Sequence, residues 1–349
     1  MLSSILASGL AAGAIYALVG VTYNTMFSTS RVMSFTAGQL AMLGGVFGSM
    51  FMLKLGLPIW LGFLLTLACC AIIGVITEFV AVRPVLKSLE QHLYVLSTLA
   101  VALMIQQVAA IKWGTEPQPF PKLVGLGSGI FDEKFWLPIA ACAVTIVALE
   151  YLYRRTLVGR AFVAIAEDNF AARALGLPER NLRIASYALA GIIGGIAGFS
   201  GGQLLLAFFA NGALLNFYGF VPVALGGLGN NRGAIFGGLA LGLFQQAANF
   251  LVGGIFSSVA VFTLFIVVLL AFFANGALLN FYGFVPVALG GLGNNRGAIV
   301  GGLALGLFQQ AANFLVGGIF SSVAVFTLFI VVLLAAPQGL FGGATARRV

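Results

Sequence analysis

The chain has 349 residues, of which 61% are hydrophobic and 7% are charged, and its mean hydropathy is +1.09. A water-soluble domain needs far more charge to cover its surface, so the composition excludes that class. The net charge of +8 would suit a nucleic-acid binder, but the basic residues lie between apolar runs, where membrane proteins place them. We therefore expect a lipid bilayer and no nucleic acid as partner.

Apolar segments recur along the chain, each close to the roughly 20 residues that a helix needs to cross a bilayer. They occupy residues 4–27, 37–55, 58–81, 93–111, 135–152 and 184–206. These runs are apolar on every face, whereas the strands of a membrane barrel alternate in polarity. The sequence predicts an all-α, polytopic helical bundle of the cell inner membrane, with a six-span core at 1–206.

The charges lie in the gaps between these segments. The first, third and fifth gaps are basic and include Arg31, Arg83 and Lys87, whereas the fourth gap, 112–134, mixes both signs. The positive-inside rule then places the basic gaps in the cytoplasm and the N-terminus outside.

The fifth gap, 153–183, holds an unusual share of the charge. Of 17 basic and 9 acidic side chains, seven lie at 159–183. They are Arg160, Glu167, Asp168, Arg173, Glu179, Arg180 and Arg183. We expect this gap to form a cytoplasmic segment with a binding task.

The apolar residues of this segment recur at spacings of three and four, which places them on one helix face. They are Phe162, Ile165, Ala166, Phe170 and Ala174. Gly176, followed by Pro178, predicts the helix end. Such an amphipathic helix either lies on anionic headgroups or docks on a protein. Glu167 and Asp168 gain little at an anionic surface and therefore favour docking.

From residue 207 the sequence repeats itself. The 64 residues at 207–270 return at 271–334 with one change, Phe236 to Val300. Solenoid repeats share a pattern and not an identity, so this copy indicates a recent duplication or an error in the recorded sequence. We predict a near-identical tandem duplication of a glycine-rich helical unit, at 207–270 and at 271–349 with the tail.

Each copy offers a short apolar piece and two runs long enough to span, which in the first copy are 214–226, 234–252 and 255–273. The loop charges obey the positive-inside rule throughout only when one copy is removed, leaving 285 residues, and the other crosses three times. One copy is therefore expected to be surplus to the basic design.

Ionisable groups inside the spans are few. Glu78 and Glu150 lie near the predicted cytoplasmic ends of their segments, and His92 begins a span, so we expect interfacial positions and no proton relay. The chain has no Gly-Lys dipeptide for a phosphate-binding loop, no metal-ligand cluster and no nucleophile–base pair. It is thus predicted to be a pathway without its own energy source, with no catalytic, cofactor or metal site.

The stretch GRAFVAIAEDNFAARALGL (159–177) resembles the cytoplasmic coupling segment of branched-chain amino acid ABC transporter permeases, the LIV-type family. Further stretches are similar to family segments in the same order: 13–45, ITEFVAVRPVL (76–86), 96–114 and the ending APQGLFG. The resemblance covers nearly all of a 285-residue version of the chain.

The resemblance implies a permease subunit that works with a second permease subunit, cytoplasmic ATP-binding subunits and an external solute-binding protein. ATP hydrolysis would occur in those partners and reach the spans as a rigid-body movement. The residues that match the coupling pattern and are expected to contact the ATPase are Gly159, Arg160, Glu167, Asp168, Ala172 and Gly176.

For the translocation pathway we predict polar residues within otherwise apolar spans, because amides and hydroxyls meet a zwitterion without burying a charge. They are Ser34, Thr36, Gln39, Ser97, Thr98, Gln106 and Gln107. The alternative for each is a hydrogen bond between helices. Family members often carry histidine where this chain has Ala37, which leaves the solute open.

Three classes of function remain at this point. The first is an ATP-driven importer of branched-chain or related amino acids, with urea or short amides as rival solutes. The second is a passive channel for a small polar solute. The third is a secondary carrier built on the repeat, which would need both copies.

Overall fold

A computed structural model describes residues 2–87, 93–123, 125, 132–253, 257, 259–261, 263–264, 300, 302–308 and 311. The chain divides into two compact units, residues 1–265 and 266–349. In the second unit Val300, residues 302–308 and Ala311 are helical. The predicted second copy of the repeat otherwise lies outside the described residues, as does His92.

The described part of the first unit is helical, with a single isolated β-bridge between Gln118 and Ala207. Its α-helices are α1 (Leu2–Ser30), α2 (Ala37–Ser49), α3 (Ile59–Thr77), α4 (Leu93–Trp113), α5 (Glu133–Arg155), α6 (Leu157–Glu167), α7 (Asn169–Ala174), α8 (Glu179–Leu205), α9 (Asn211–Gly226) and α10 (Asn231–Val252). A π-helical turn, Met50–Lys54, continues α2, and another, Glu78–Val82, continues α3. The all-α prediction is confirmed for this part of the chain.

Six helices of the described residues are long and apolar enough to cross a membrane. They are Ser3–Ser30, Ile59–Val82, Leu96–Trp113, Glu133–Arg155, Glu179–Leu205 and Asn231–Leu251. Five fall within the predicted core at 1–206, and the sixth, α10, belongs to the first copy of the repeat. Six candidate spans confirm the prediction of a polytopic membrane protein.

The predicted span 37–55 differs from the others. Its α-helix, α2, has only 13 residues, and every one of them is buried by other parts of the protein. Gln39 and the four glycines of AGQLAMLGGVFGS lower its hydropathy, so this segment is not one of the six apolar candidates. A helix that touches protein on every side needs small residues more than it needs a lipid-facing surface.

The bundle is organised around α1 and α8, which are largely buried, whereas α3, α4 and α5 expose most of their apolar surface. α10 packs along α1, while α2 and α3 both pack against α8. Exposed apolar helices at the periphery are typical of a protein that lipid or another membrane subunit surrounds.

Glycines on one face of α8 allow its close approach to α2. A Cβ atom at Gly198 would overlap the carbonyl oxygen of Ala41, and one at Gly194 would lie 2.8 Å from the Leu40 Cβ. Backbones this close gain dispersion contacts that larger side chains would prevent.

The contacts of the loops define two ends of the bundle. At the end that carries α6, called here the α6 end, the Asn24 Oδ1 accepts a hydrogen bond from the Gly229 N–H at 2.9 Å. At the opposite end the Ser49 hydroxyl donates to the Pro119 carbonyl at 2.8 Å. At the α6 end the Arg31 guanidinium of the first gap also donates to the Ala166 carbonyl of the fifth gap. These two gaps therefore share one end, and the fourth gap, which contains Pro119, lies at the other, as the charge pattern predicts.

The first copy of the repeat is part of the core. Its short apolar piece, 214–226, lies within α9, and its run at 234–252 lies within α10. Val223 and Leu241 are buried in the same apolar cluster as α1. The described residues of the third run, 255–273, are helical as well.

Candidate functional site

A polar cluster lies inside the apolar bundle where the chain passes from α1 into α2. The Ser34 and Thr36 hydroxyls are 2.8 Å apart, and both residues are at most 1% exposed. Gln39, in the first turn of α2, is equally buried, and its Oε1 has no hydrogen-bond partner within the described part of the chain. Three of the predicted pathway residues are therefore gathered at one place, where a buried acceptor remains available.

Two further residues, Tyr23 and Asn216, complete this cluster. The Asn216 Oδ1 accepts a hydrogen bond from the Gly38 N–H at 2.7 Å and one from the Tyr23 hydroxyl at 3.1 Å. The first N–H groups of a helix lack partners within it, and a helix that begins inside a protein must find them elsewhere. Asn216 supplies one such partner from α9 and so fixes the start of α2.

Sequence reasoning missed Asn216, although a signal for it was present. It is an isolated amide in the apolar run ALLNFYGFV. Gln39 and Gln106 were predicted as pathway residues because they have this same property. We name Tyr23, Ser34, Thr36, Gln39 and Asn216 the interior polar cluster.

The predicted pathway residues of α4 divide into two groups. The Thr98 hydroxyl donates to the Met33 carbonyl at 3.5 Å, and the Ser97 hydroxyl donates to the Ala81 carbonyl at 2.8 Å. Thr98 therefore borders the interior polar cluster, while Ser97 joins α4 to the π turn after α3. Gln106 is half-buried and Gln107 is exposed, both farther along α4.

A second feature lies at the surface of the α6 end, where the segment 153–183 forms two helices. The sequence predicts a single helix here, and this prediction is wrong: α6 ends at Glu167 and α7 begins at Asn169. Asp168 adopts an extended conformation between them, and its carboxylate accepts hydrogen bonds from the Phe170 and Ala171 N–H groups at 2.9 and 3.0 Å. An aspartate that caps the next helix in this way stops the previous one.

The predicted coupling residues take different structural positions. Arg160 and Glu167 are exposed, whereas Gly159 and Ala172 are buried. A Cβ atom at Gly159 would overlap the Leu152 carbonyl oxygen, so glycine lets α6 fold back on α5. Gly176 has a φ of +83° and ends α7 in the left-handed region that glycine favours. Four of the six residues are thus exposed, and two of these four, Asp168 and Gly176, also shape the segment through their backbone conformation.

The apolar periodicity of this segment identifies the face that packs on the bundle. Phe162 and Ile165 are 4% and 1% exposed and pack with Ala172 and Leu182. Phe170, which the periodicity placed on the same face, is 78% exposed, because the break at Asp168 turns α7 away from the line of α6. The inward face holds the segment in place, and another face remains for a partner.

That other face carries large apolar side chains in solvent. They are Leu157, Val158, Val163, Phe170 and Leu175, and we call them, with Arg160 and Glu167, the α6–α7 surface. On the bundle side the Arg31 guanidinium donates to the Ala166 carbonyl near the end of α6, and it lies 5.7 Å from the Phe27 ring centre. The surface is therefore fixed to the end of α1 as well as to α5 and α8.

Glu78 was expected at the membrane interface, outside any proton relay. The structure shows that protein buries it fully at the π turn after α3, where its Oε1 lies 2.7 Å from the Arg183 Nε. Arg183 belongs to α8, which begins before the predicted start at 184 and so includes this arginine. Glu150 is half exposed and pairs with Arg154 and Arg232.

Within the described residues, no group of His, Cys, Asp and Glu side chains could hold a metal ion. The chemistry available in the interior polar cluster is hydrogen bonding by hydroxyls and amides. Such groups can exchange hydrogen bonds with a polar solute.

The family model for "Branched-chain amino acid transport system / permease component" matches residues 5–274. The chain is 25% identical over 282 residues to the high-affinity branched-chain amino acid transport system permease protein LivH of Escherichia coli K12, covering 75% of this chain and 91% of that protein. It is 24% identical over 284 residues to BraD of Pseudomonas aeruginosa, covering 76% and 92%.

A probable branched-chain amino acid transport permease protein of Methanocaldococcus jannaschii is 24% identical over 259 residues, with 69% of this chain and 79% of that protein covered. No solved structure matches the chain. The family match spans well over half of the sequence and includes α1 from residue 5 onward and all of α2 to α10. The chain therefore belongs to the family of permease components of branched-chain amino acid transport systems.

Proposed function

We propose that this chain is the translocation subunit of an ATP-driven importer of branched-chain or related amino acids. Its apolar helices and its family make it a multi-pass protein of the inner, cytoplasmic membrane and a transporter component rather than an enzyme. The observation that carries the proposal is the α6–α7 surface, in which five large apolar side chains face solvent on a segment that is firmly attached to the bundle.

The partners in this proposal are cytoplasmic ATP-binding subunits, a second permease subunit and an external solute-binding protein. The α6–α7 surface would receive an ATP-binding subunit, because exposed aromatic and aliphatic side chains beside charged groups are typical of the centre of a protein interface. A passive channel works without an ATP-binding subunit and needs no surface to dock one, so this observation favours the importer.

The interior polar cluster, with Thr98, is the proposed contact for the solute on its way through this subunit. Its hydroxyls and amides can exchange hydrogen bonds with a zwitterionic amino acid or with a short amide without a buried charge. The unpartnered Gln39 Oε1 supports this assignment, because a buried acceptor without a donor is unfavourable unless something else binds it. Ser97, Gln106 and Gln107 are proposed only to flank the route.

We further propose that the second copy of the repeat is dispensable. The family match ends at residue 274, just inside that copy, and three quarters of this chain suffice to cover nine tenths of the LivH relative. The packing of α9 and α10 into the core supports the view that the first copy completes the transport unit.

The docking proposal predicts that Phe170→Ala combined with Glu167→Lys lowers recovery of the ATP-binding subunit at least tenfold in affinity purification. Truncating one buried aromatic anchor commonly costs an interface 2 kcal/mol or more, roughly thirtyfold in affinity. Asp168 is left unchanged, because its loss would unfold the start of α7 and confuse docking with local folding.

The matched control is Phe236→Ala. Phe236 is 73% exposed, nearly as exposed as Phe170, but it lies on α10. This variant should retain the ATP-binding subunit, and both variants should retain the second permease subunit. Equal recovery from wild type and the Phe170 variant would contradict the assignment, and solute flux without any ATP-binding partner would favour a channel.

Deletion of residues 271–334 separates the importer from a secondary carrier built on the repeat. If the chain is part of an importer, we expect the deletion variant to support ATP-dependent uptake in proteoliposomes at a rate equal to or greater than that of the full chain. A scrambled 64-residue segment at the same place controls for length. Loss of uptake in the deletion, together with dependence on a proton or sodium gradient, would contradict the importer.

A further inference from the structure

A series of ion pairs leads from the α6–α7 surface into the bundle. The Arg173 Nε on α7 lies 3.3 Å from the Glu179 Oε2 on α8, and the Glu179 Oε1 lies 3.4 Å from the Arg183 Nη1. The Arg183 Nε lies 2.7 Å from the Glu78 Oε1. Asn169, the first residue of α7, also donates from its side chain to the Glu179 Oε1 at 3.2 Å.

The burial of these side chains increases step by step along the series. The exposed fraction falls from 59% at Arg173 to 22% at Glu179, 10% at Arg183 and 0% at Glu78. Ion pairs are weak where water screens them and strong where it is excluded, so the inner end is the stiffer one. The series therefore joins a solvent-exposed helix to a rigid interior contact.

Stability alone does not account for this arrangement. A buried ion pair is commonly no more stable than a well-packed apolar pair of the same volume, because both charges lose their hydration. Moreover, the Glu78 Oε2 is buried and has no hydrogen-bond partner within the described residues. The pair is better explained by the position that it imposes on α3 relative to α8.

At the inner end, α3 and α8 are in backbone contact. A Cβ atom at Gly74 would overlap the Tyr187 carbonyl oxygen, and one at Gly191 would overlap the Cys70 carbonyl oxygen. Displacement of Glu78 or Arg183 thus displaces both helices, since contacts this close leave no room for independent sliding. α8 also packs against α2, which carries Gln39 of the interior polar cluster.

We infer that Glu179, Arg183 and Glu78 form an ionic relay that transmits movement of α7 to the α3–α8 pair. The inference rests on the proposed function, because it takes the α6–α7 surface as the place where ATP-driven force arrives. In this relay Glu78 and Glu179 are positioning residues, because each acts through its ion pair with Arg183. Coupling strength then depends on the ion pairs that connect the α6–α7 surface to the interior.

The chief alternative is transmission through apolar contact alone, since Ala172 of α7 also packs with Leu182 of α8. A substitution that removes the charge but keeps the shape of the side chain distinguishes ionic transmission from transmission through apolar contact. The Glu179→Gln substitution preserves the side-chain volume, and residue 179 lies at the rim of the bundle. This variant is therefore expected to fold even if the Glu78→Gln variant does not. Glu150→Gln is the matched control, because Glu150 also forms two ion pairs at the α6 end but stands outside the relay.

The experiment measures leucine uptake and ATP hydrolysis by the complete transporter in proteoliposomes, as solute molecules per ATP. Glu179→Gln is expected to lower this ratio at least threefold while the ATP-binding subunit still copurifies and hydrolyses ATP. The Glu150→Gln transporter should keep the wild-type ratio. The Glu78→Gln transporter, if it assembles, can be combined with Glu179→Gln. The ratio of solute to ATP in this double variant should fall no further than in the more impaired of the two single variants, because the two residues act in series.

A wild-type ratio in the Glu179→Gln transporter would overturn the relay and leave transmission to the apolar contact. A parallel fall in assembly, hydrolysis and uptake would overturn it too, since Glu179 would then be merely structural. Both results differ from failure of the proposed function, in which the wild-type chain itself would bind no ATP-binding subunit.

Discussion

The Gly198→Ala protein is expected to lose about 3 kcal/mol or more of its free energy of unfolding, at the upper end of what overpacking costs. The added methyl group would overlap the Ala41 carbonyl oxygen and would also lie 2.8 Å from the Gly45 nitrogen. Both are backbone atoms, so no side-chain rotation can make room, and α2 must move away from α8. Thermal or denaturant unfolding of the purified protein in detergent measures the loss.

Gly45→Ala is the control for this prediction. Gly45 lies at the same crossing, but a Cβ atom there would be 3.5 Å from its nearest neighbour, the Gly198 carbonyl oxygen, which is an ordinary contact. We expect a change of less than about 1 kcal/mol, since alanine also favours the helix. Similar losses in the two variants would show that close backbone approach does not govern this crossing.

Replacing Arg183 with methionine should lower the free energy of unfolding by about 3–5 kcal/mol, because Glu78 would remain buried without its counter-charge. The aliphatic part of the side chain is kept, so the loss reports charge more than volume. Adding Glu78→Met to Arg183→Met should restore most of the stability, since two apolar side chains can pack where an ion pair was.

The measurement is the same unfolding titration, applied to wild type, both single variants and the double variant. A double variant as unstable as the sum of the singles would mean that the two residues act independently, which contradicts the pair. A stable double variant that transports poorly per ATP would agree with the relay, because it restores packing without restoring the ionic connection to Glu179.

The interior polar cluster shows how far sequence patterns reach. Ser34, Thr36 and Gln39 could be selected because polar residues within apolar runs are rare and need a reason. Asn216 is separated from Gly38 by 178 residues, and only packing of α9 against α2 brings its side chain to that N–H group. A pairing between residues so distant in sequence leaves no local pattern.

The α6–α7 segment shows a different limit. Its periodicity correctly indicated helical structure, but it predicted one unbroken helix where there are two, and it could not say whether the apolar side chains meet the bundle or a partner. Burial decides this: Phe162 faces inward, and Phe170 faces solvent after the break at Asp168. The capping role of Asp168 could have been suspected, since aspartate at such a position stops one helix and starts another.

The amino-acid sequence by itself determined the membrane environment, the helical class, the approximate spans, the two ends of the bundle and the family, because hydropathy, charge placement and motif order are properties of single segments. Only the tertiary structure decided that α2 is wholly enclosed, that Glu78 is buried against Arg183 and that Phe170 is presented to solvent. Each of these depends on which segment lies beside which, and that is settled by the packing of distant helices rather than by any stretch of residues read alone.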